Sequence, residues 1–319
     1  MKKLIKILAA LALALSLTAI ALAETPAQES VKIAGLKGPT GMAFAHLVTA
    51  NPDQYDFNLV ATPAEVNALV ISGQVDIAAV PINAGAVLYN KTEKNVQALS
   101  LITRGMLYVL ERGDTIHSVS DLEGKTICTA GQGATPDYVM NYILNTANVN
   151  AVLDFQDEHA TAAALGLEGK ADVLLLPEPM VTNVLMKSED FRVALDITEE
   201  FSAAAKKNGF ENAELSMSVV IVRKEFAQAH PDQVAAFMED LKASIEFANE
   251  NTAEAAQEIA ALEIIPSAAV AQKALPSCRL VYVVGDEMQS QASPLYEILF
   301  NANPASVGGQ IPDEGFFFQ

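Results

Sequence analysis

The sequence predicts an α/β protein of two lobes, each a mainly parallel sheet flanked by helices, with two strands crossing between the lobes. A segment of Gly, Asp three residues later, an apolar strand and Pro occurs at residues 73–81 and again at residues 169–177, 96 residues apart. A stretch of helical character precedes each segment. Each of these units follows a strand, a glycine turn and a helix. Strands that alternate with helices form parallel sheets covered on both faces, so each unit predicts one lobe.

The N-terminal 23 residues are set apart by their composition. Three lysines are followed by an apolar run and by Ala21-Leu22-Ala23, the pattern of a cleaved secretory signal peptide. An uncleaved anchor is the alternative, because the apolar run approaches the roughly 20 residues that span a bilayer. The small-residue site and the polar residues after it favour cleavage. No Cys lies near that site, so we expect a freely diffusing exported protein rather than a lipoprotein.

Charge and length limit the possible partners. The 319 residues suit two domains of ordinary size, and the formal net charge is −19 at pH 7. A chain this acidic, without a basic run to offset the charge, repels nucleic acid and anionic lipid. The spread-out acidic residues therefore indicate a solvated surface and exclude a nucleic-acid partner.

The two repeat units are predicted in chain order. The first has a strand and helix over residues 31–48, a strand near 55–62, a helix over 64–72, and a strand ending at Pro81. The second has a strand and helix over 124–144, a strand near 151–157, a helix over 159–168, and a strand ending at Pro177. Gly73 and Gly169 suit left-handed caps at the helix ends, and Asp76 and Asp172 are interpreted as structural.

The rest of the chain predicts the crossings. A strand over 105–111 leaves the first unit, and a strand over 216–224 follows the second. Helices from Pro231 to about Asn249 and over 253–262, a strand near 278–285 and a final helix over 293–301 complete the chain. If this last third packs on the first unit, lobe 1 comprises residues 24–111 plus 219–319, and lobe 2 comprises residues 112–218. The two crossings would form a hinge.

Four loops are predicted at the carboxyl ends of the strands, where ligands bind in open parallel sheets. Thr103 and Arg104, before the first crossing strand, could also reach this cleft, although a surface role is equally open for Arg104. The candidate ligand-binding residues are Lys37, Gly38, Pro39, Thr40, Pro81, Ile82, Asn83, Thr103, Gly131, Gln132, Gly133, Ala134, Thr135, Pro177, Glu178 and Pro179.

The loop at Gly131 and Gly133 resembles a phosphate cradle. Its glycines permit close backbone approach, and a helix beginning near Thr135 presents free N–H groups that favour an anionic or strongly hydrogen-bonding ligand. Neither this loop nor the one at Lys37 is a Walker motif, and Pro136 stands where a dinucleotide fingerprint has its third glycine. A tight turn without a ligand is the alternative for either loop alone. The sequence predicts no nucleotide or other cofactor.

Glu178 lies between two prolines at the end of a predicted buried strand. It could accept hydrogen bonds from an amine or ring N–H of a ligand, and a helix cap or hinge salt bridge is an equal alternative. Lys37 is the only basic residue of the four loops. This balance argues against nitrate or sulfate and favours a larger organic solute of mixed polarity.

Catalytic and metal-binding patterns are absent from the sequence. The four histidines are far apart, none has metal-ligand spacing, and no Gly-x-Ser-x-Gly occurs. Cys128 is predicted in mid-strand, where a buried structural thiol is favoured over a nucleophile. We expect Cys128 and Cys278 to be unpaired, with a bridge between them left open. The sequence therefore predicts no catalytic residue and no metal site.

Five segments carry a family resemblance: LKGPTGMAFA, SGQVDIAAVPINAGAVLYNKT, GKTICTAGQGATPDYVMNYIL, GKADVLLLPEP and the tail NPASVGGQIPDEGFFF. The chain resembles the type II periplasmic solute-binding proteins of ABC importers, in the nitrate/sulfonate/taurine-like group that includes thiamine-precursor binders. The resemblance implies the periplasmic-binding-protein type II fold with two crossover hinge strands and a ligand bound between the lobes. From the balance of charge in the loops we expect that ligand to be a small organic solute, and we expect the protein to be a monomer. It also implies delivery to a membrane permease with a cytoplasmic ATPase.

The resemblance leaves the solute and two other functions open. Anionic and heteroaromatic solutes both fit the family. Some relatives are enzymes of thiamine-precursor or chorismate-type chemistry, and a sensor passing its signal to a membrane kinase would have the same sequence features. The predicted signal peptide and the lack of a catalytic set favour a periplasmic receptor that is not an enzyme.

Overall fold

The computed structural model describes residues 29–319, and the predicted signal peptide over residues 1–23 lies outside them. The described residues form two sheets flanked by helices. Their strands are β1 (Val31–Leu36), β2 (Tyr55–Val60), β3 (Ile77–Pro81), β4 (Val96–Arg104), β5 (Leu107–Arg112), β6 (Thr126–Ala130), β7 (Val152–Gln156), β8 (Val173–Pro177), β9 (Phe191–Asp196), β10 (Ser216–Arg223) and β11 (Leu280–Val283).

Helices connect and cover these strands. In chain order they are α1 (Pro39–Met42), α2 (Ala45–Ala50), α3 (Pro63–Ile71), α4 (Ile82–Lys91), α5 (Thr135–Ala147), α6 (His159–Leu167), α7 (Met180–Lys187), α8 (Ile197–Lys207), α9 (Lys224–Ala229), α10 (Pro231–Glu250), α11 (Thr252–Ala261), α12 (Ala268–Cys278) and α13 (Gly285–Ala302). Within the described part of the chain, no helix is both long enough and apolar enough to cross a membrane.

The predicted repeat is confirmed in the sheet topology. The first sheet has the order β11-β4-β10-β3-β1-β2, and the second has the order β7-β6-β8-β5-β9. In each sheet the first three strands of the unit pair in parallel, and one strand that arrives from the other lobe pairs antiparallel on both sides. The inserted strand is β10 in the first sheet and β5 in the second. The predicted two-lobed α/β class is confirmed, and every antiparallel pair involves at least one strand from outside the repeated core.

The aspartates of the repeat hold the inserted strands. Asp76 accepts a hydrogen bond from Arg223 (Nη2 to Oδ1, 2.9 Å) at the end of β10, and its carbonyl accepts the Arg223 N–H. Asp172 pairs with Arg112 at the end of β5 (3.4 Å) and accepts the Arg112 N–H in the same way. The two lobes therefore fix their inserted strands with the same Asp–Arg contact, which agrees with the structural interpretation of both aspartates.

The first crossing lies earlier than the sequence predicted. Strand β5 belongs wholly to the second sheet, so the chain changes lobes at Gly105 and Met106 rather than after Glu111. The second crossing precedes Ser216, where β10 begins, rather than residue 219. An apolar strand has the same local pattern in either sheet, and only its long-range partners decide which sheet it joins.

The last helix is also longer than the sequence predicted. It begins at Gly285 rather than near Ser293 and contains Pro294 in its interior. Met288 and Ala292, which precede the proline, are fully buried. Packing of this first half stabilises helical turns that the proline alone would disfavour.

The C-terminal tail returns to α4. The Asn90 side chain donates to the Val307 and Gln310 carbonyls, both at 2.7 Å. Phe316 is fully buried, and the Phe318 N–H donates to the Ala98 carbonyl at 2.9 Å. The tail therefore fixes α4, the helix whose first turn carries Asn83.

Candidate interlobe binding site

A cavity of about 1150 Å³ lies between the two lobes. It is lined from lobe 1 by the carboxyl ends of β1 and β3, and from lobe 2 by the end of β8 and the starts of α5 and α6. Its volume is slightly above the roughly 300–1,000 Å³ of most small-molecule sites. Eleven of the sixteen predicted residues line it: Lys37, Gly38, Pro39, Thr40, Pro81, Asn83, Ala134, Thr135, Pro177, Glu178 and Pro179.

The structure does not bring the other five predicted residues to the cavity. Ile82 and Thr103 are completely buried in the lobe interior. Gly131, Gln132 and Gly133 form the turn before α5 and do not line the cavity. The Gly133 N–H donates to Asp137 Oδ2 at 2.8 Å. This N–H is therefore hydrogen-bonded to a carboxylate of α5, whereas the phosphate-cradle interpretation expected it to bind a ligand.

One hydrogen bond inside the cavity joins the lobes. The Thr135 hydroxyl, at the start of α5, donates to Asn83 Oδ1 at 3.3 Å. The amide nitrogen of the same Asn83 donates to the Ser306 carbonyl of the tail at 3.5 Å, which sets the orientation of the amide. Thr135 is only 3% exposed. The bond therefore lies out of bulk water, where it depends on the lobes being close together.

Two hydroxyl groups of lobe 1 also form a contact near the cavity. Thr40 and Ser218 approach to 2.9 Å, and both are buried. Ser218 was not among the predicted residues, although the sequence places it at the second crossing. Its position on β10, next to β3 in the sheet, brings it to the cavity wall.

Glu178 lies in the cavity wall and is only 3% exposed. Its Oε2 accepts the Thr182 N–H, in the first turn of α7, at 3.0 Å. Burial raises the pKa of the Glu178 carboxyl, and the Thr182 amide and hydroxyl offset only part of that rise. No Lys, Arg or His among residues 29–319 forms an ion pair with it, so the structure shows a helix cap at a cavity wall and no hinge salt bridge.

Sequence reasoning missed His159, the first residue of α6. This residue lines the cavity, and its Nδ1 is buried without a hydrogen-bond partner in the described structure. Burial lowers the pKa of the His159 imidazole to about 4, so the ring is neutral at neutral pH. The rule that ligands bind at strand carboxyl ends could have found it, because His159 follows β7 as Thr62 follows β2, and both line the cavity.

The charged groups of the cavity are mostly carboxylates. Lys37, Asp157 and Glu158 are exposed at the rim, whereas Glu178 is buried. No Arg, Phe or Tyr of the described chain lines the cavity, and proline, methionine and isoleucine side chains make up much of its wall. The cavity can therefore hold a solute with a sizeable apolar body.

The two cysteines lie away from the cavity. Cys128 and Cys278 are both free and buried, and burial raises the pKa of each thiol. Neither lines the cavity. Within residues 29–319, no group of three His, Cys, Asp or Glu side chains could hold a metal ion.

Comparison with known proteins identifies the family of this chain. The sequence matches the protein family described as NMT1/THI5 like over residues 56–255. Among curated proteins, none matches this sequence significantly. An ABC transporter from Parabacteroides distasonis has a similar structure, with a TM-score of 0.77 and 23% identity over 92% of this chain and 99% of that one.

Two sulfonate-binding proteins also share the fold. The periplasmic aliphatic sulphonate-binding protein SsuA from Escherichia coli matches with a TM-score of 0.69 and 14% identity over 92% of both chains. The alkanesulfonate-binding protein SsuA from Xanthomonas axonopodis pv. citri, bound to MOPS, matches with a TM-score of 0.62 and 14% identity over 90% of this chain and 95% of that one. At these identities the likeness establishes the fold.

Proposed function

Because this chain belongs to the NMT1/THI5-like family, we propose that it is an extracytoplasmic solute-binding receptor of an ABC-type importer. It captures a small organic solute in the interlobe cleft by closure about the two crossings. It then delivers the solute to a membrane permease that is driven by a cytoplasmic ATPase. It acts as a monomer in the periplasm, and it does not transform the solute.

The observation that carries this proposal is the interlobe cavity with a hydrogen bond across it. Residues from both lobes line one space of about 1150 Å³, and Thr135 donates to Asn83 between them. A solute that contacts both lobes binds the closed form better than the open form, and it shifts the equilibrium by that difference in affinity. The structural neighbours that are named as transport binding proteins support the same function.

The experiment is a thermal-shift screen of the chain without residues 1–23, unfolded and refolded to remove any bound solute. The panel contains oxyanions, alkyl and aryl sulfonates, carboxylates, amines, pyrimidines and thiamine precursors. A ligand at a hundredfold excess over Kd adds about 2.7 kcal/mol to the free energy of unfolding, which is readily detected. A compound that binds and is recovered unchanged supports a receptor.

Two results would contradict the proposal. A bound compound that is converted to a product would identify an enzyme on this fold. Binding that survives substitution of cavity residues from both lobes would place the site elsewhere. The double variant Asn83→Ala/Thr135→Ala tests the second point, with Thr146→Ala on the same helix α5 as a control outside the cavity.

A further inference from the structure

Glu178 is the one buried charged side chain among the described residues that line the cavity. The only basic side chain of that lining, Lys37, lies exposed at the rim. Removing a carboxylate from water without a cation to pair with it is strongly unfavourable. The Thr182 amide and hydroxyl supply part of the lost hydration, and no positive charge of the described chain supplies the rest.

An anionic group at this depth would be repelled. It would lie near the Glu178 carboxylate, and Asp157 and Glu158 add further negative charge at the rim. Like charges held close together in a poorly hydrated site repel each other strongly. A cationic or N–H-rich group would instead pair with the Glu178 carboxylate, which has no cationic partner among the described residues.

The remaining wall limits the body of the solute. Met106, Met217, Ile264 and Ile265 give apolar surface, and prolines from both lobes add more. No Phe or Tyr of the described chain lines the cavity, and the His159 imidazole is the one aromatic ring among the described lining residues, so a flat heteroaromatic solute finds little stacking surface. The wall suits a flexible alkyl or arylalkyl body.

We propose that the solute is an amine or amidine with an apolar body, and that its protonated nitrogen binds the Glu178 carboxylate. This inference rests on the proposed receptor function and names the chemical class of its solute. Glu178 is then the residue that selects cations over the sulfonates named for two of the structural neighbours.

The matched probes are 4-phenylbutylamine against 4-phenylbutyrate, and hexylamine against hexanesulfonate. Each pair shares its apolar body and reverses the charge of its head group. Titration calorimetry at pH 7 is expected to show binding of the amines and affinities at least about tenfold weaker for the anions, since hydrogen bonds to charged groups contribute about this much.

Glu178→Gln is the test variant. It keeps an oxygen that can accept the Thr182 N–H, so the fold is retained, and it should weaken amine binding by about tenfold or more. Glu189→Gln, an exposed carboxylate of the same lobe that does not line the cavity, is the matched control and should change affinity by less than about threefold. A thermal melt of each variant confirms that it is folded.

The pH dependence gives a second readout. Amine affinity should fall as pH is lowered towards the raised pKa of Glu178, because protonation removes the charge that the amine pairs with. Tyr108 and Cys278 face Glu178, and the pKa of each is raised, so both stay neutral over this range. His159 also stays neutral until about pH 4.

Three results would overturn the inference. Tighter binding of the anions would show that Glu178 is protonated and donates to them. Unchanged amine binding in Glu178→Gln would restrict this residue to its capping role. Failure of both amines at about 10 mM would exclude the amine class, while a hit from the broader screen with another compound would leave the receptor function intact.

Discussion

Replacement of Thr135 by Val tests whether the hydrogen bond between the lobes controls closure. Valine keeps the shape of threonine and removes the hydroxyl that donates to Asn83 Oδ1. Thr135 does not cap α5 through its side chain, since Ala134 occupies the cap position. The substitution should therefore act on the interlobe contact and leave the helix intact.

The magnitude follows from burial. A net hydrogen bond contributes about 1 kcal/mol, and the unpaired Asn83 oxygen adds to the loss, so the closed form should lose about 1–2 kcal/mol relative to the open form. This corresponds to a five- to thirtyfold smaller ratio of closed to open protein. If the unliganded protein is mostly open, the apparent Kd for the solute rises by a similar factor.

Thr146→Val provides the control. Its hydroxyl lies on the same helix and accepts a hydrogen bond from Asn208 Nδ2 at 2.9 Å, with both partners in lobe 2. Because this bond is exposed, Thr146→Val should reduce the free energy of unfolding in urea by less than about 1 kcal/mol and leave affinity unchanged. Titration calorimetry measures Kd with the tightest-binding compound of the screen, and small-angle scattering measures the unliganded dimensions. Equal affinities in Thr135→Val and the wild-type protein would refute the reasoning, as would equal losses in the two variants.

Two further predictions concern stability. A Cβ at Gly105 would lie 2.1 Å from Thr198 Oγ1, so Gly105→Ala should lower the free energy of unfolding by about 1–3 kcal/mol, measured in urea. Adding Thr198→Ala removes the contacted oxygen and should restore much of this loss; simple additivity of the two changes would contradict the clash. Burial of the Glu111 carboxyl raises its pKa. Hydrogen bonds from Thr115 and Ile116 and the charge of Arg192 lower it by more, so the pKa of Glu111 lies below its usual value. The stability that this lowered pKa gives is present above the usual carboxyl pKa and is lost as pH falls through the folded-state pKa. Glu111→Gln should therefore reduce the free energy of unfolding at pH 7 and make it decline less steeply in acid. Parallel curves of unfolding free energy against pH for the variant and the wild-type protein would contradict this.

The repeat could be read from the sequence because its signals are local. Gly73 and Gly169 adopt φ of +72° and +73°, the left-handed conformation that glycine favours after a helix. The buried strands that follow run from Ile77 and from Val173, as their apolar patterns predicted. Short-range steric preferences and short apolar runs fix these features without reference to the rest of the chain.

The features that the sequence did not reveal depend on long-range contacts. The membership of β5 in the second sheet is decided by its pairing with β8 and β9, which follow it by many residues. The Thr40–Ser218 contact joins positions far apart in the chain. The Gly131–Gly133 turn does not line the cavity, and Asp137, near the start of α5, accepts the Gly133 amide. A glycine pattern indicates where the backbone has conformational freedom. It does not indicate which group accepts a hydrogen bond from the glycine N–H.

At Glu178 the sequence offered a choice between a helix cap and a ligand contact, and the structure shows why the two can act together. The Thr182 amide and hydroxyl hold the carboxylate in one orientation, so a ligand would not have to order it on binding. Those neutral donors do not balance the charge, because the pKa of the carboxyl remains raised. Capping therefore positions Glu178 while leaving its charge uncompensated, and the strongest remaining stabilisation of that charge would come from a cation brought into the closed cleft.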